Sequence, residues 1–374
     1  MARALTLHQK ALNSRFAEFC RESARERAAV FEATADKHET VAQAIEKDFW
    51  VCRTIDALFH GGPRQPRLLF KGGTSLSKGY GLIRRFSEDI DIVISAPGLR
   101  FSGGDDPGKP GMTGSARKRV LSGSNEKGLP HKLRHFVNDR LAPALEKLLP
   151  DCEIAAAETR DRYGAALKVK YPTVLPTGFE IDKYLERAVL VECGGRSARE
   201  PVDARDIVPY IHAVPKMKEW DFTVADVTII HPRRTFWDKA IMLHDNHRLL
   251  AADKLELSDE NRLSRHYYDV AMMAETNVGK AAVADTDLLA VVRDWIVDSR
   301  NLSPKDLASA VPGSFKLVPP SEIKKALRRD YEQMRHMIFG KPNDFDWIVT
   351  TLAALEQRIN APAPKYPKQL ALFG

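Results

Sequence analysis

The chain has 374 residues, 44% hydrophobic and 29% charged, with a net charge of +7. That length and composition suit a soluble protein of one elaborated domain or two, able to bury a core. No apolar run approaches the ~18–20 residues of a membrane span, the opening segment lacks the apolar stretch of a signal peptide, and the four cysteines form no C-x-x-C pair, so a cytoplasmic protein with reduced thiols is expected.

Residues 7–60 are rich in helix formers and free of Gly and Pro, which predicts a helical N-terminal region over 1–62. The breaker cluster "HGGPRQP" ends it. A short strand, "RLLF", follows, then a glycine turn, a helix from about Ser75, and "DIDIVI", whose alternation reads as a strand. Residues 97–130 are rich in Gly, Ser and Pro; they read as a long loop placed to serve as a lid or as a passive insertion. After the helix "HKLRHFVNDRLAPALEKLL", strands are expected at "CEIAAAE", "AALKVKYPTVL", "RAVLVECG" and "DFTVADVTII". From His231 the chain reads helical to about residue 360, with a loose Pro-rich tail over 361–374. The expected organisation is α+β: an α/β core over 63–230 between the helical region 1–62 and a helical domain over 231–360.

The stretch "FKGGTSLSKGYGLIRRFSEDIDIVI" carries the chemistry. On a strand, residues i and i+2 share a face, so Asp89 and Asp91 point the same way while Ile90, Ile92 and Ile94 enter a core. Two carboxylates so close repel unless a cation lies between them. Hard oxygen donors of this kind suit Mg²⁺ completed by substrate phosphates. The glycines Gly72 and Gly73 would let backbone N–H groups approach phosphate, although no Walker A or Rossmann pattern is present. The basic balance suits a polyanionic partner, while the doublets Arg84-Arg85, Arg233-Arg234 and Arg328-Arg329 read equally as solvated faces or RNA contacts. Lys168 and Lys170 share a strand face that could border the site or be solvated. Read alone, Lys239 is a surface or salt-bridge lysine and Asp269 a buried partner of an arginine such as Arg265. His244 and His247 read as packing residues.

The same stretch resembles motif I of the DNA polymerase β-like nucleotidyltransferase superfamily and, more narrowly, the AbiEii toxin family of abortive-infection toxin–antitoxin pairs. "HPRRTFWDKAIMLHDNHR" is similar to that family's helical motif with a central lysine, and "RLSRHYYDV" to its closing motif ending in aspartate. The resemblance, which spans about residues 68–275, implies a nucleotidyltransferase core joined to a helical domain. It implies that Asp89 and Asp91 hold Mg²⁺ or Mn²⁺, that Ser87 and the Gly72-Gly73-Thr74 turn touch nucleotide phosphates, that Lys239 contacts the triphosphate, and that Asp269 completes the site. The superfamily's third carboxylate has two candidates here: Glu192, favoured because it sits on the most apolar strand and a charge there needs a partner or a metal, and Glu180 with Asp182. The implied function is transfer of NMP from an NTP to RNA, most plausibly the tRNA 3′ end. Growth arrest or abortive phage infection would follow, with a cognate antitoxin as protein partner and no membrane role. Other expectations are transfer to a protein or small molecule, an NTP- or GTP-binding toxin without transfer, and a nonenzymatic RNA-binding module.

Overall fold

In a computed structural model, residues 11–95, 99, 113–122, 128–159, 161, 163–178, 185–195, 201–255, 262–300 and 302–361 are described. Glu180 and Asp182, residues 1–10 and the tail from 362 lie outside them, as does most of the 97–113 stretch.

Three helices open the chain: α1 (Ser14–Arg21), α2 (Ala24–His38) and α3 (Ala42–Asp56). Asn13 caps α1, and Ser23 with Glu26 forms a capping box on α2, satisfying N–H groups that a helix start leaves unbonded. Helix α3 is buried continuously from Ala44 to Asp56, so its charged residues need internal partners. They have them. Lys47 bonds Glu88 at 2.7 Å and the Glu186 carbonyl at 2.8 Å. Asp48 pairs with Lys78 at 2.9 Å and accepts the Tyr210 N–H. Glu46 accepts the Val174 N–H at 2.7 Å.

Seven strands form one mixed sheet: β1 (Leu68–Lys71), β2 (Asp89–Ile94), β3 (Glu153–Ala157), β4 (Ala165–Lys170), β5 (Ala188–Gly194), β6 (Val202–Ile207) and β7 (Val224–Ile230), in the order β3-β4-β5-β2-β1-β7-β6. β2 runs antiparallel to β1 and parallel to β5. Phe70, Ile90, Ile92 and Ile94 are buried in a core shared with the N-terminal helices, which gives the alternation of "DIDIVI" its physical meaning. Edge strand β6, "VDARDI", was not expected: its middle is exposed and charged, so it lacks an apolar face. Lys168 and Lys170 pair with Glu186 and Glu153 on the surface. Helix α4 (Gly72–Lys78) follows β1 directly. Within the expected 97–130 loop lies helix α5 (Gly114–Ser122), and α6 (Leu129–Phe136) and α7 (Ala142–Leu148) follow it.

The C-terminal part contains α8 (Pro232–Ala251), α9 (Ser264–Ala274), α10 (Asn277–Ala284), α11 (Thr286–Arg300), α12 (Ser321–Met334) and α13 (Phe345–Asn360). Their second core holds Trp237, Tyr267, Tyr268 and Tyr331, and includes Leu76 and Ile83 from around α4. His244 belongs to this packing. The Lys316 backbone N–H donates to its Nδ1 at 3.0 Å, and Nε2 lies 3.0 Å from the Ser309 hydroxyl. A backbone donor fixes Nδ1 as an acceptor, so a second proton has no place. Burial pulls the imidazole down to about 4. A base depressed in the folded state contributes stability that is whole above its unfolded value of ~6.5 and is lost as pH falls toward 4, roughly 3 kcal/mol in all. Urea midpoints measured from pH 8 to pH 4 should therefore fall less steeply for His244→Asn than for wild type; parallel curves would remove His244 as the cause.

Candidate active site

The sheet brings three sequence-distant residues into one row. Register pairs Lys71 of β1 with Asp91 of β2, and Asp91 with Glu192 of β5. Directly opposed residues share a face, so these side chains stand side by side, with Asp89 two residues from Asp91. The face they share is opposite to the one that buries Ile90 and Ile92.

Gly72 and Gly73 are the first two residues of α4 rather than a turn before it, and both are required by close approach. Gly72 has φ +78°, and a Cβ there would lie 1.9 Å from Asp91 Oδ2; one on Gly73 would lie 2.7 Å from the Ser87 hydroxyl. Gly81 also has positive φ (+61°) but open space around it. A left-handed backbone costs an L-residue about 1–2 kcal/mol. Gly81→Ala is expected to lose about that much stability and no activity, whereas Gly72→Ala also displaces Asp91 and should lose transfer at least ~10-fold. Parallel rate and unfolding measurements check this; equal rates for the two variants would dissociate Gly72 from the carboxylate.

Helix α8 supplies the facing wall. Thr235, Asp238, Lys239 and Met242 are spaced i, i+3, i+4, i+7 and so share one stripe; α11 adds Trp295, Ile296, Ser299 and Arg300. With the sheet row, Gly72, Gly73, Arg85, Ser87, Asp89, Arg265 and His266, they enclose a cleft of about 240 Å³.

Asp89 is a quarter exposed and lies 3.9 Å from Arg265 Nη1. Burial, and then the neighbouring Glu88 carboxylate, push its pKa up to about 7, with Asp91 adding to the repulsion. Glu88 is itself buried, yet Lys47 and Arg262 hold it below the usual carboxylate range. Asp269, on α9, has 0% exposure. Arg85 grips it through Nε and Nη2, each at 2.8 Å, and Lys239 Nζ lies 3.0 Å from its Oδ2. Burial would raise Asp269, but the Arg85 guanidinium and then the Lys239 ammonium keep it low. Burial pulls the Lys239 ammonium down, with Asp269 opposing. Lys239 also lies 3.2 Å from His266 Nδ1.

Of the residues singled out in the sequence, Gly72, Gly73, Ser87, Asp89, Asp91, Glu192 and Lys239 line the cleft, while Thr74 and Asp269 do not. The Thr74 hydroxyl lies 2.5 Å from the Asp89 carbonyl and 3.1 Å from that of Ser87, so it ties α4 to β2. Asp269 works from behind, through Arg85 and Lys239. Read alone, Lys239 is a surface or salt-bridge lysine, Arg265 the example partner of Asp269, and the arginine doublets solvated or RNA-bound. Lys239 is 8% exposed and forms a salt bridge with Asp269, Arg85 is 5% and Arg234 1% exposed, and the arginine that Asp269 partners is Arg85. Arg85 could have been suspected only from its place just before "SEDID".

Among the described residues no three His, Cys, Asp or Glu side chains converge closely enough to hold a metal on their own. Asp89 and Asp91 nevertheless fit a Mg²⁺ that takes its remaining ligands from phosphate and water: they are hard oxygen donors, and a divalent cation would relieve the repulsion that Asp91 adds to a carboxyl already raised by burial and by Glu88.

The profile of a family described as nucleotidyl transferase AbiEii toxin, type IV toxin–antitoxin system, matches residues 56–351. The chain belongs to the AbiEii family. It is a nucleotidyltransferase toxin of a toxin–antitoxin system, and the matched span of this AbiEii toxin contains the whole cleft. MenT4, a nucleotidyltransferase toxin from Mycobacterium tuberculosis H37Rv, is similar over 88% of this chain and 98% of its own, at 18% identity and a TM-score of 0.41. Among curated proteins none matches. No described helix of the AbiEii chain is long and apolar enough to cross a membrane.

Proposed function

We propose that the protein transfers a nucleoside monophosphate from an NTP to the 3′ end of an RNA, most plausibly tRNA, arresting growth in the manner of an abortive-infection phage defence until a cognate antitoxin protein restrains it. The observation that carries this reading is the convergence of Asp89 and Asp91, the Gly72-Gly73 backbone and Lys239 on one cleft. Asp89 and Asp91 are the proposed ligands of Mg²⁺ or Mn²⁺, with Glu192 beside them in register. When bound, such a cation lowers the pKa of the attacking hydroxyl and neutralises the leaving pyrophosphate.

The chain's own groups do the rest. The Gly72-Gly73 backbone lets the triphosphate come close to the carboxylates. The Ser87 hydroxyl stands beside it as a donor. Lys239 places a point charge against the triphosphate, held in position by Asp269, which Arg85 in turn fixes. Arg265 and Arg300 add positive charge at the cleft, suited to a polyanionic acceptor.

The test is to incubate the protein with Mg²⁺, each α-labelled NTP in turn, and total RNA or total protein. Label in tRNA-sized RNA, with pyrophosphate released, supports the reading. Label in protein moves the acceptor to a polypeptide. NTP binding without any transfer would replace the reading with that of a nucleotide-binding toxin.

A further inference from the structure

The cleft is chemically two-sided. Its sheet side and the Lys239 region of α8 are polar and charged. The apolar side chains that line it come from two helices packed on each other: Met242 of α8, with Trp295 and Ile296 of α11. Met242 is three residues beyond Lys239, on the same stripe and about 4–5 Å further along the axis. Trp295 is half-buried and offers the largest π surface among the lining residues. The neighbouring Ile296 is nearly buried, at 6% exposure, so the backbone beneath the indole is anchored in the core. A polar wall adjoining a small apolar one with an aromatic ring matches a ligand that is charged at one end and flat and aromatic at the other.

We infer that Trp295 is a stacking platform for a nucleobase, with Met242 and Ile296 as the apolar surface beside it. This rests on the nucleotidyl-transfer reading and adds a binding residue to it. The base belongs either to the NTP or to the terminal nucleotide of the acceptor, and the shared chemistry is a π face held against indole. Every base has such a face, so the platform supplies affinity more than base choice.

The experiment is calorimetric titration, in magnesium buffer, of wild type, Trp295→Ala and Trp295→Phe. The probes are each ribonucleoside triphosphate, inorganic tripolyphosphate and a short single-stranded oligoribonucleotide. Stacking predicts that Trp295→Ala weakens the NTP, the oligonucleotide or both by about 5–100-fold, leaves tripolyphosphate unchanged, and is largely rescued by Trp295→Phe. Which of the two probes weakens identifies the source of the base. A second readout does not need the alanine variant to fold: saturating NTP or oligonucleotide should quench the tryptophan emission of wild type more than that of Trp295→Phe. The inference is overturned if NTP and oligonucleotide both bind the alanine variant as tightly as wild type, or if tripolyphosphate weakens in step with them. Failure of the underlying reading looks different, since wild type itself would then bind neither NTP nor tripolyphosphate.

Discussion

Asp91→Ala is expected to reduce nucleotidyl transfer by about 10³-fold or more while the metal-free protein unfolds at the same temperature or higher. Asp89 explains the second half. Its pKa is raised to about 7 by burial and by the Glu88 and Asp91 carboxylates. An acid raised in the folded state adds no cost while it stays protonated. As pH climbs from its unfolded value of ~4 through 7, the folded protein must ionise it against that environment and loses stability. Removing Asp91 removes one source of the repulsion. The stabilisation should therefore appear at pH 8 and shrink toward pH 4. Rates of labelled NTP incorporation and calorimetric midpoints at both pH values decide it. A midpoint several degrees below wild type at pH 8 would make Asp91 a structural residue.

The largest effect on stability is expected at Asp269. Its carboxylate is the shared anion of Arg85 and Lys239, all three nearly out of water. Breaking a buried ionic group by deleting one partner costs about 3–5 kcal/mol, because the remaining charges stay buried and uncompensated. Asp269→Ala leaves two cations so stranded. Lys239→Met removes a cation whose anion keeps both bonds from Arg85, so it should cost far less stability and still lose transfer. Denaturant unfolding of both variants measures the contrast. A loss below about 1 kcal/mol for Asp269→Ala would mean that water reaches the trio and that Asp269 does not hold Lys239 in place.

What could be read beforehand follows a physical line. The alternation of "DIDIVI" is a local property, and a strand facing the core and the cleft on opposite sides is its direct result. The paired glycines were legible as a close approach, but not as the first turn of α4, since neither residue favours a helix. Arg84 and Arg85 are adjacent and chemically identical. One is exposed and the other anchors Asp269, a residue 184 positions away, and only tertiary packing separates them. Nothing local marks the charges of α3 as buried, because their counter-ions, Glu88 and Lys78, lie far along the chain. Helix α5 was hidden by the glycines and serines that flank it, and β6 by its charge.

The Lys47–Glu88 bond sets a limit on trimming the protein. Glu88 immediately precedes Asp89 on the chain, and its buried counter-ion sits on α3. Phe16, Phe19 and Phe49 meanwhile share one core with Phe70, Ile90 and Ile92 of the sheet. A fragment beginning at residue 63 would keep every residue of the cleft, yet it would strip the cover from the back of β2 and leave the Glu88 carboxylate, next to Asp89, with Arg262 but without its buried lysine. Helices α1 to α3 touch no substrate in the proposed scheme, and a minimal active unit must still include them.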